Sequence, residues 1–277
     1  MKKACTITAI LNLFGEYILP RKEKDIWVGS LIKLLKPIGF TENAIRLSLS
    51  RLKKHKALKS FRIGKESYYR ITKFGKKWVK YGADRAYHFE EEHKWDGKWR
   101  LIIYNIPEKQ RKKRDAFRCK LTSVGFGAIG NSIYIYPHDF SSKVYELAEH
   151  LKIEKYIDIF EAEYVEKDAK ELLNRVWNLK KIEKAFVSYM NKYQKRFKIC
   201  KKGKMFSPAK CFATKFKMSS EWIELSFEDP KIPPELLPKT WKVKKVKKFY
   251  FDFFNLLDPI SNAYFESVFK SSKMKKK

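Results

Sequence analysis

The sequence predicts an α+β fold made of three successive regions, and three observations support this prediction. In the first region, apolar residues at i, i+4 and i+7 (Ile45, Leu49, Leu52) indicate a helix, and two short alternating stretches after it indicate strands. In the middle region, strand and helix patterns follow the order βαββαβ. From residue 168 onward the apolar spacing is helical, so the last region is predicted to be a helical domain.

Composition favours a globular protein with a polyanionic partner. The chain has 277 residues, of which 44% are hydrophobic, enough for two or three domains. Its formal net charge is +31, and residues 1–82 hold 20 Lys and Arg against 5 Asp and Glu. Such a surface attracts nucleic acid first and anionic membrane second. A genome that favours Lys codons is the alternative explanation for part of the excess, because residues 270–277 are also rich in Lys.

The cysteines and the N-terminus indicate a cytoplasmic protein. Cys5, Cys119, Cys200 and Cys211 are scattered without a C-x-x-C pair, so reduced thiols are expected and neither a zinc site nor a disulfide framework is predicted. Polar residues interrupt the apolar run near the start of the chain, so residues 5–19 are interpreted as a helix and not as a signal peptide. No stretch reaches the roughly 20 apolar residues of a membrane span.

The first region is predicted to contain three helices and a hairpin. The first helix, 5–19, ends near Pro20, and a charged loop over 21–25 follows it. A second helix covers 27–36 and is closed by Pro37. Its candidate core positions are Trp27, Leu31, Leu34 and Leu35.

The third helix and the hairpin carry the functional signal. Thr41 can cap the helix with its side-chain oxygen. The face opposite the apolar stripe is polar and consists of Asn43, Arg46, Ser50 and Lys53. Strands over 58–63 and 68–71 flank a turn at 64–66, which makes a basic hairpin. A helix that can enter a major groove, followed by a basic hairpin, is the winged helix-turn-helix pattern, so double-stranded DNA is the predicted partner.

Roles on DNA follow from side-chain chemistry. Arg46 is the first choice for a base contact, because a guanidinium can pair with both O6 and N7 of guanine. Asn43 is assigned to adenine or phosphate and Ser50 to phosphate, whereas Arg51 either contacts DNA or braces the domain. The two basic hairpin residues are assigned to phosphate or the minor groove. The complete predicted set is Thr41, Asn43, Arg46, Ser50, Arg51, Lys53, Arg62 and Lys65.

The middle region is predicted to be a ferredoxin-like domain. Gly130-Asn131 is a strong signal for a tight hairpin between two of its strands. The order βαββαβ over about 70 residues is the ferredoxin-like arrangement. Strands are predicted at 101–104, 125–129, 132–136 and 157–164, and helices at 107–123 and 141–151.

Helical patterns precede and follow this domain. A helix and linker cover 73–92, where His88 and His93 lack the spacing of a zinc helix, so a linker helix is predicted instead of a metal site. In the last region, helices are predicted at 172–180, 182–197, 209–227 and 241–257. A set of aromatic residues there is predicted to fill a core or a dimer interface, with an acyl-CoA pocket as the alternative: Trp222, Trp241, Tyr250, Phe251, Phe253 and Phe254.

Several sequence blocks together resemble the PaaX family of bacterial transcriptional repressors. The resemblance extends over nearly the whole chain, and the first and last blocks are the most specific. The blocks are Phe14 to Arg21 (FGEYILPR), Trp27 to Ile32 (WVGSLI), Ala44 to Leu52, Gly64 with Ser67 to Thr72, Trp95 to Arg100 (WDGKWR), Gly125 to Gly127 (GFG) and Pro233 to Trp241 (PPELLPKTW).

The resemblance implies a dimeric repressor with a winged helix, a Cas2-like ferredoxin domain and a helical C-terminal domain. The expected boundaries are 1–82 for the DNA-binding domain, 83–97 for a linker, 98–166 for the Cas2-like domain and 167–277 for a helical domain that serves dimerisation or effector response. Family members that regulate phenylacetate degradation are released from DNA by phenylacetyl-CoA, so an acyl-CoA-type effector is expected. No residue set in the sequence is recognisable as its pocket.

A metal-dependent nuclease built on the Cas2-like domain is the alternative from another class. Cas2-like nucleases hold a divalent metal with an acidic residue at the end of the first strand, where this chain has Asn105. A neutral amide brings no compensating charge and is a poor Mg²⁺ ligand beside a carboxylate.

The sequence therefore predicts a non-enzymatic, cofactor-free regulator. We expect a cytoplasmic homodimer that occludes a promoter at a palindromic or near-palindromic site until its effector binds. A structural DNA- or RNA-binding protein without an effector is a third interpretation.

Overall fold

The computed structural model describes residues 6–87, 95–165 and 169–272 of the chain. The chain forms two compact units, of which the first takes residues 1–88, 189–224 and 245–277 and the second takes 89–188 and 225–244. This division cuts across the helical region predicted from 167 onward, and the predicted domain boundaries stay predictions. No helix among the described residues has the length and apolar character needed to cross a membrane.

The N-terminal part of the first unit consists of short helices and a three-stranded sheet. Its elements are α1 (Thr6–Leu13), a π-helical turn (Phe14–Ile18), β1 (Asp25–Trp27), α2 (Val28–Leu35), α3 (Glu42–Lys54), β2 (Leu58–Ile63), β3 (Glu66–Ile71) and α4 (Lys73–Tyr87). The strands are antiparallel in the order β1-β3-β2. The predicted helices and the hairpin are thus present, with shifts at several ends.

The start of the second predicted helix, 27–36, is wrong. Asp25 pairs with Arg70 and Trp27 pairs with Tyr68, so a short strand takes the end of the predicted loop and the first residue of the predicted helix. Asp25 and Arg70 are 45 positions apart. Because this pairing is long-range, no local apolar spacing indicates it.

The second unit contains a four-stranded antiparallel sheet. Its elements are β4 (Trp99–Tyr104), α5 (Arg111–Val124), β5 (Gly127–Gly130), β6 (Ile133–Tyr136), α6 (Ser141–Leu151), β7 (Ile157–Ala162) and α7 (Ala169–Trp177). The strand order is β5-β6-β4-β7, with a helix after the first and third strands in sequence. This is the ferredoxin-like arrangement, which confirms the predicted central domain.

Close packing explains the two glycines of the GFG block. Gly125 ends α5 with a φ of +119°, a conformation that favours glycine. A Cβ on Gly127 would lie 1.9 Å from Val176 Cγ1, so a side chain at this position would separate α7 from β5. Trp177 Nε1 also donates to the Gly125 carbonyl oxygen at 2.9 Å. The block therefore forms the surface on which α7 packs.

The remaining elements are α8 (Leu179–Lys201), α9 (Pro208–Glu228) and α10 (Val243–Val268). From Cys211 to Ser220, every residue of α9 is buried except Lys217. The predicted end of the last helix at Leu257 is wrong, because α10 continues through Pro259. Pro removes a helix hydrogen bond, but Phe265 beyond it is completely buried, and this packing offsets the loss.

Lys215 of α9 is buried in the first unit, where two carboxylates neutralise its charge. Its Nζ lies 2.5 Å from Glu16 Oε1 and 2.7 Å from Asp258 Oδ1, and it donates to Tyr17 Oη at 3.1 Å. The ammonium also lies 4.2 Å from the centre of the Phe254 ring. Burial raises the pKa of Glu16, and the charge of Lys215 opposes only part of that rise. This cluster joins the π-helical turn, α9 and α10.

Replacing Lys215 by Met should lower the free energy of unfolding at pH 7 by about 3–5 kcal/mol, because it leaves a buried carboxylate without its cation. A carboxyl group with a raised folded-state pKa contributes stability below its unfolded pKa and loses it as pH rises through the folded pKa. The deficit of the variant should therefore shrink as pH falls from 7, because protonation of Glu16 removes the unpaired charge. Urea denaturation at pH 7 and at pH 5 measures this.

The exposed Lys217 of the same helix provides a matched control. Lys217→Met should change the free energy of unfolding by no more than about 0.5 kcal/mol at either pH. Equal losses for the two variants would contradict the role given to Lys215.

Candidate nucleic-acid interface

The third helix, α3, begins with the predicted cap and is held by the predicted apolar stripe. Thr41 Oγ1 accepts a hydrogen bond from the Ala44 N–H at 3.3 Å. Ile45, Leu49 and Leu52 are at most 1% exposed and belong to the core cluster that α1 and α2 share. One face of α3 is therefore fixed in the core, which leaves the opposite face free for a ligand.

The polar face of α3 is exposed to solvent. The exposed side chains include all five predicted contact residues of the helix body: Asn43, Arg46, Ser50, Arg51 and Lys53. The exposure of Arg51 favours a DNA contact over a brace inside the domain. These five side chains are thus accessible on α3, and their contact with DNA stays a prediction.

Arg46 is bound by a carboxylate of its own helix. Its Nε and Nη2 donate to Glu42 Oε1 at 3.0 and 2.9 Å, and this bond holds the pKa of Glu42 below its usual range. Burial raises the pKa of Tyr69 in β3, and the positive charge of Arg46 opposes part of that rise. The side chains of Arg46 and Glu42 are 55% and 41% exposed, so the pair is weak enough for DNA to displace.

Sequence reasoning missed two residues of this face, Leu47 and Lys54. Leu47 is 55% exposed although it is apolar, and Lys54 is also exposed. Spacings of three and four residues place them in line with Asn43 and Ser50. That spacing could have identified both. An exposed apolar side chain at the centre of the face can contact a thymine methyl group, and Lys54 can contact phosphate.

The hairpin ends in a two-residue turn. Ile63 pairs with Glu66, and Gly64 between them has a φ of +57°. The predicted turn over 64–66 is therefore one residue too long, because Glu66 already belongs to β3. Arg62 and Lys65 are exposed, as is Ile63 at 50%. The tip thus presents two cations and one apolar side chain.

In the second unit, Asn105 stands at the position where Cas2-like nucleases have their metal-binding carboxylate. Asn105 is exposed directly after β4, and its N–H donates to the Tyr156 carbonyl oxygen at 2.9 Å. Over residues 6–87, 95–165 and 169–272, no group of three or more His, Cys, Asp and Glu side chains could hold a metal ion. On α5, Arg114 pairs with Glu108 at 2.9 Å, whereas Lys112 is exposed. These observations do not support the nuclease alternative.

Three of the six aromatic residues predicted in the last region fill space inside the first unit. Trp222, Tyr250 and Phe253 are completely buried, and the Trp222 and Tyr250 rings stack with centroids 4.4 Å apart. This confirms the predicted core role for these three residues. The other members of the predicted set are partly exposed: Trp241, Phe251 and Phe254.

The described cysteines form no disulfide. Cys119 is exposed, and Cys200 and Cys211 are buried. Burial raises the pKa of both buried thiols, which makes them poor nucleophiles. Cys5 and the His88–His93 segment lie outside the described residues.

Family models match three consecutive parts of the chain. The model described as PaaX-like protein matches residues 6–75. The model of the PaaX protein central Cas2-like domain matches residues 92–173, and that of the PaaX-like protein C-terminal domain matches residues 177–267. All three belong to one family and together account for most of the chain.

One relative and one solved structure are also similar to this chain. Transcriptional repressor PaaX of Escherichia coli (strain K12) is 24% identical over 260 residues, which is 92% of this chain and 81% of that protein. Uncharacterized protein Rv0674 from Mycobacterium tuberculosis is a solved structure with a TM-score of 0.56 at 18% identity. The alignment covers 84% of this chain and 89% of that one, and the likeness concerns the fold alone.

Replacing Glu42 by Gln should strengthen DNA binding. The change removes a negative charge from the exposed face and weakens the competitor for the Arg46 guanidinium. We expect the affinity for any duplex to rise several-fold at low salt, as measured by fluorescence anisotropy.

The matched control is Asp252→Asn, which removes the same charge from an exposed position of α10. In an Arg46→Ala background, the gain from Glu42→Gln should fall to that of the control. A gain that is equal with and without Arg46 would show that Glu42 does not compete for this side chain.

Proposed function

This chain belongs to the PaaX-like protein family, and from that premise we propose that it is a sequence-specific DNA-binding regulator that represses transcription. The observation that carries the proposal is the exposed polar face of α3 beside a basic hairpin, within the region matched by the PaaX-like model. The family resemblance and the name of the relative support repression and a non-enzymatic role.

In this proposal, α1 to α4 and the hairpin act as a winged helix-turn-helix domain. The α3 helix enters the major groove, where Arg46 pairs with guanine once it leaves Glu42. Asn43 and Leu47 contact neighbouring bases, while Ser50 and Lys54 contact phosphates. The hairpin, whose two exposed cations are Arg62 and Lys65, binds phosphate or the minor groove.

We further propose that the protein forms a homodimer and that an effector controls its binding to DNA. A homodimer would place two α3 helices on the half-sites of a palindromic operator, one helical turn of DNA or a multiple of it apart. Binding to this operator blocks access to the promoter, and the protein acts in the cytoplasm. The family resemblance supports an acyl-CoA-type effector such as phenylacetyl-CoA. This effector would release the protein from DNA by favouring a different spacing of the two α3 helices.

Footprinting on DNA from upstream of its own gene, with Mg²⁺ present, tests this function. We expect protection with two-fold symmetry and intact DNA strands. Mg²⁺-dependent strand cleavage would instead establish a nuclease, and equal protection of random DNA would establish a structural DNA-binding protein.

Single substitutions distinguish residues that contact bases from residues that contact phosphates. Arg46→Ala should cost about 1–3 kcal/mol on the preferred site and relax specificity at one base pair. Lys65→Ala should weaken binding to all duplexes alike and lower the slope of log affinity against log salt by about 0.9. Anisotropy titrations of the site and a scrambled duplex over a range of salt concentrations measure both. Unchanged selectivity in Arg46→Ala would contradict the assignment of the reading face.

A further inference from the structure

We propose that Lys270 is a positioning residue for the hairpin, through its ion pair with Glu66 at the start of β3. The pair sets where the turn presents Lys65 to DNA, and it ties that position to the end of α10. This inference rests on the proposed function, in which Lys65 contacts a phosphate.

The ion pair reaches the hairpin at its turn. Lys270 Nζ lies 2.6 Å from Glu66 Oε1 and 2.7 Å from Oε2, so both carboxylate oxygens accept from one ammonium. Glu66 also accepts from Tyr68 Oη at 2.8 Å, and burial together with this bond raises the pKa of Tyr68 to about 12. Glu66 directly follows Lys65 in the chain. A displacement of the Glu66 side chain is therefore transmitted to the turn.

The end of α10 and the residues just after it are bonded to α2 and β1, so the backbone that carries Lys270 is held in place. The carbonyl oxygen of Lys270 accepts from the Trp27 N–H at 2.8 Å, and that of Val268 accepts from Ser30 Oγ at 2.6 Å. The ammonium of Lys270 also lies 5.0 Å from the Trp27 ring. Because the backbone of Lys270 is fixed by the hydrogen bond from the Trp27 N–H, its ammonium group can fix the position of the Glu66 carboxylate.

A second contact fixes the other end of β3. Asp25 accepts from the N–H and the hydroxyl of Ser272 at 2.7 and 2.9 Å, and from Arg70 Nη2 at 2.5 Å. Burial raises the pKa of Asp25, but the bonds from Arg70 and Ser272 outweigh it and bring the net pKa below its usual range. The residues after α10 therefore fix β3 near both of its ends, at Glu66 and, through Asp25, at Arg70. The Glu66 end is the one next to the turn.

This arrangement is more than a local brace, because Lys270 stands two residues beyond the end of α10. The ion pair, together with the bond from the Trp27 N–H to the Lys270 carbonyl oxygen, therefore links the end of α10 to the hairpin. Its side chains are 28% and 24% exposed, so the pair is shielded from salt more than a surface pair is.

The test is a double-mutant cycle between Lys270→Met and Lys65→Ala in the full-length chain, with affinity for a duplex site as readout. Lys270→Met should weaken binding by a factor similar to Lys65→Ala. With Lys65 already replaced, it should weaken binding by less than a further twofold. Lys245→Met, which removes the same charge from an exposed position of α10, should have a smaller effect that is independent of Lys65.

If Lys270→Met reduces folding, Glu66→Gln provides a second test, because it removes the negative partner of the same ion pair. Loss of a negative charge near DNA strengthens binding if only net charge matters. Loss of the positioning contact weakens it instead, and this weakening should vanish in the Lys65→Ala background. Lys270→Arg keeps a cation at the site and should retain most of the affinity.

The outcomes separate this inference from the proposed function. Equal binding of all duplexes by the unmodified protein would overturn the proposed function. A Lys65→Ala variant with full affinity would overturn the hairpin contact. If Lys65→Ala weakens binding but Lys270→Met matches its Lys245→Met control, or adds fully to Lys65→Ala, then Lys270 does not position the hairpin.

Discussion

The buried charge of Lys215 is the constraint on which the rest of the first unit depends. An ammonium that is 1% exposed is costly unless carboxylates lie beside it, and here Glu16 and Asp258 supply them from segments more than 200 positions apart. The cluster therefore holds the π-helical turn, α9 and α10 in one arrangement. That arrangement fixes where α10 ends, and the residues after α10 are those that reach β1 and the hairpin.

The proposed DNA-binding surface follows from this support. The α3 helix takes its position from a buried apolar stripe, and the hairpin takes its position from β1 and from the residues that follow α10. Two ion pairs then hold charged groups at the surface in the free protein: Arg46 with Glu42 and Lys270 with Glu66. The first pair is open to exchange with DNA, whereas the second is shielded. The proposed base contact thus involves an exposed ion pair, whereas the proposed positioning of the hairpin involves a shielded one.

The sequence was sufficient where structure is local. The Thr41 cap and the stripe of Ile45, Leu49 and Leu52 depend on residues within a few positions of each other, and the structure has them as predicted. The βαββαβ order of the second unit was readable for the same reason. The Gly64 turn was predicted one residue too long, because strand pairing decides its end.

The long-range features could not be predicted in this way. Strand β1 exists because Asp25 pairs with Arg70, and nothing within its three residues signals a strand. Lys215 looks like one more lysine in a lysine-rich chain, although it is buried beside Glu16. Conversely, Leu47 looks like a core residue but is exposed. The Glu42 partner of Arg46 lies at a spacing of four residues and was visible in the sequence.

The most direct test of the claim that α3 and the hairpin bind DNA is amide hydrogen exchange of the full-length protein with and without its preferred duplex. We expect slower exchange over residues 41–54 and 58–71 when that duplex is added, and a much smaller change with a scrambled duplex at the same concentration. Protection confined to α5 of the second unit, with residues 41–71 unchanged, would contradict it.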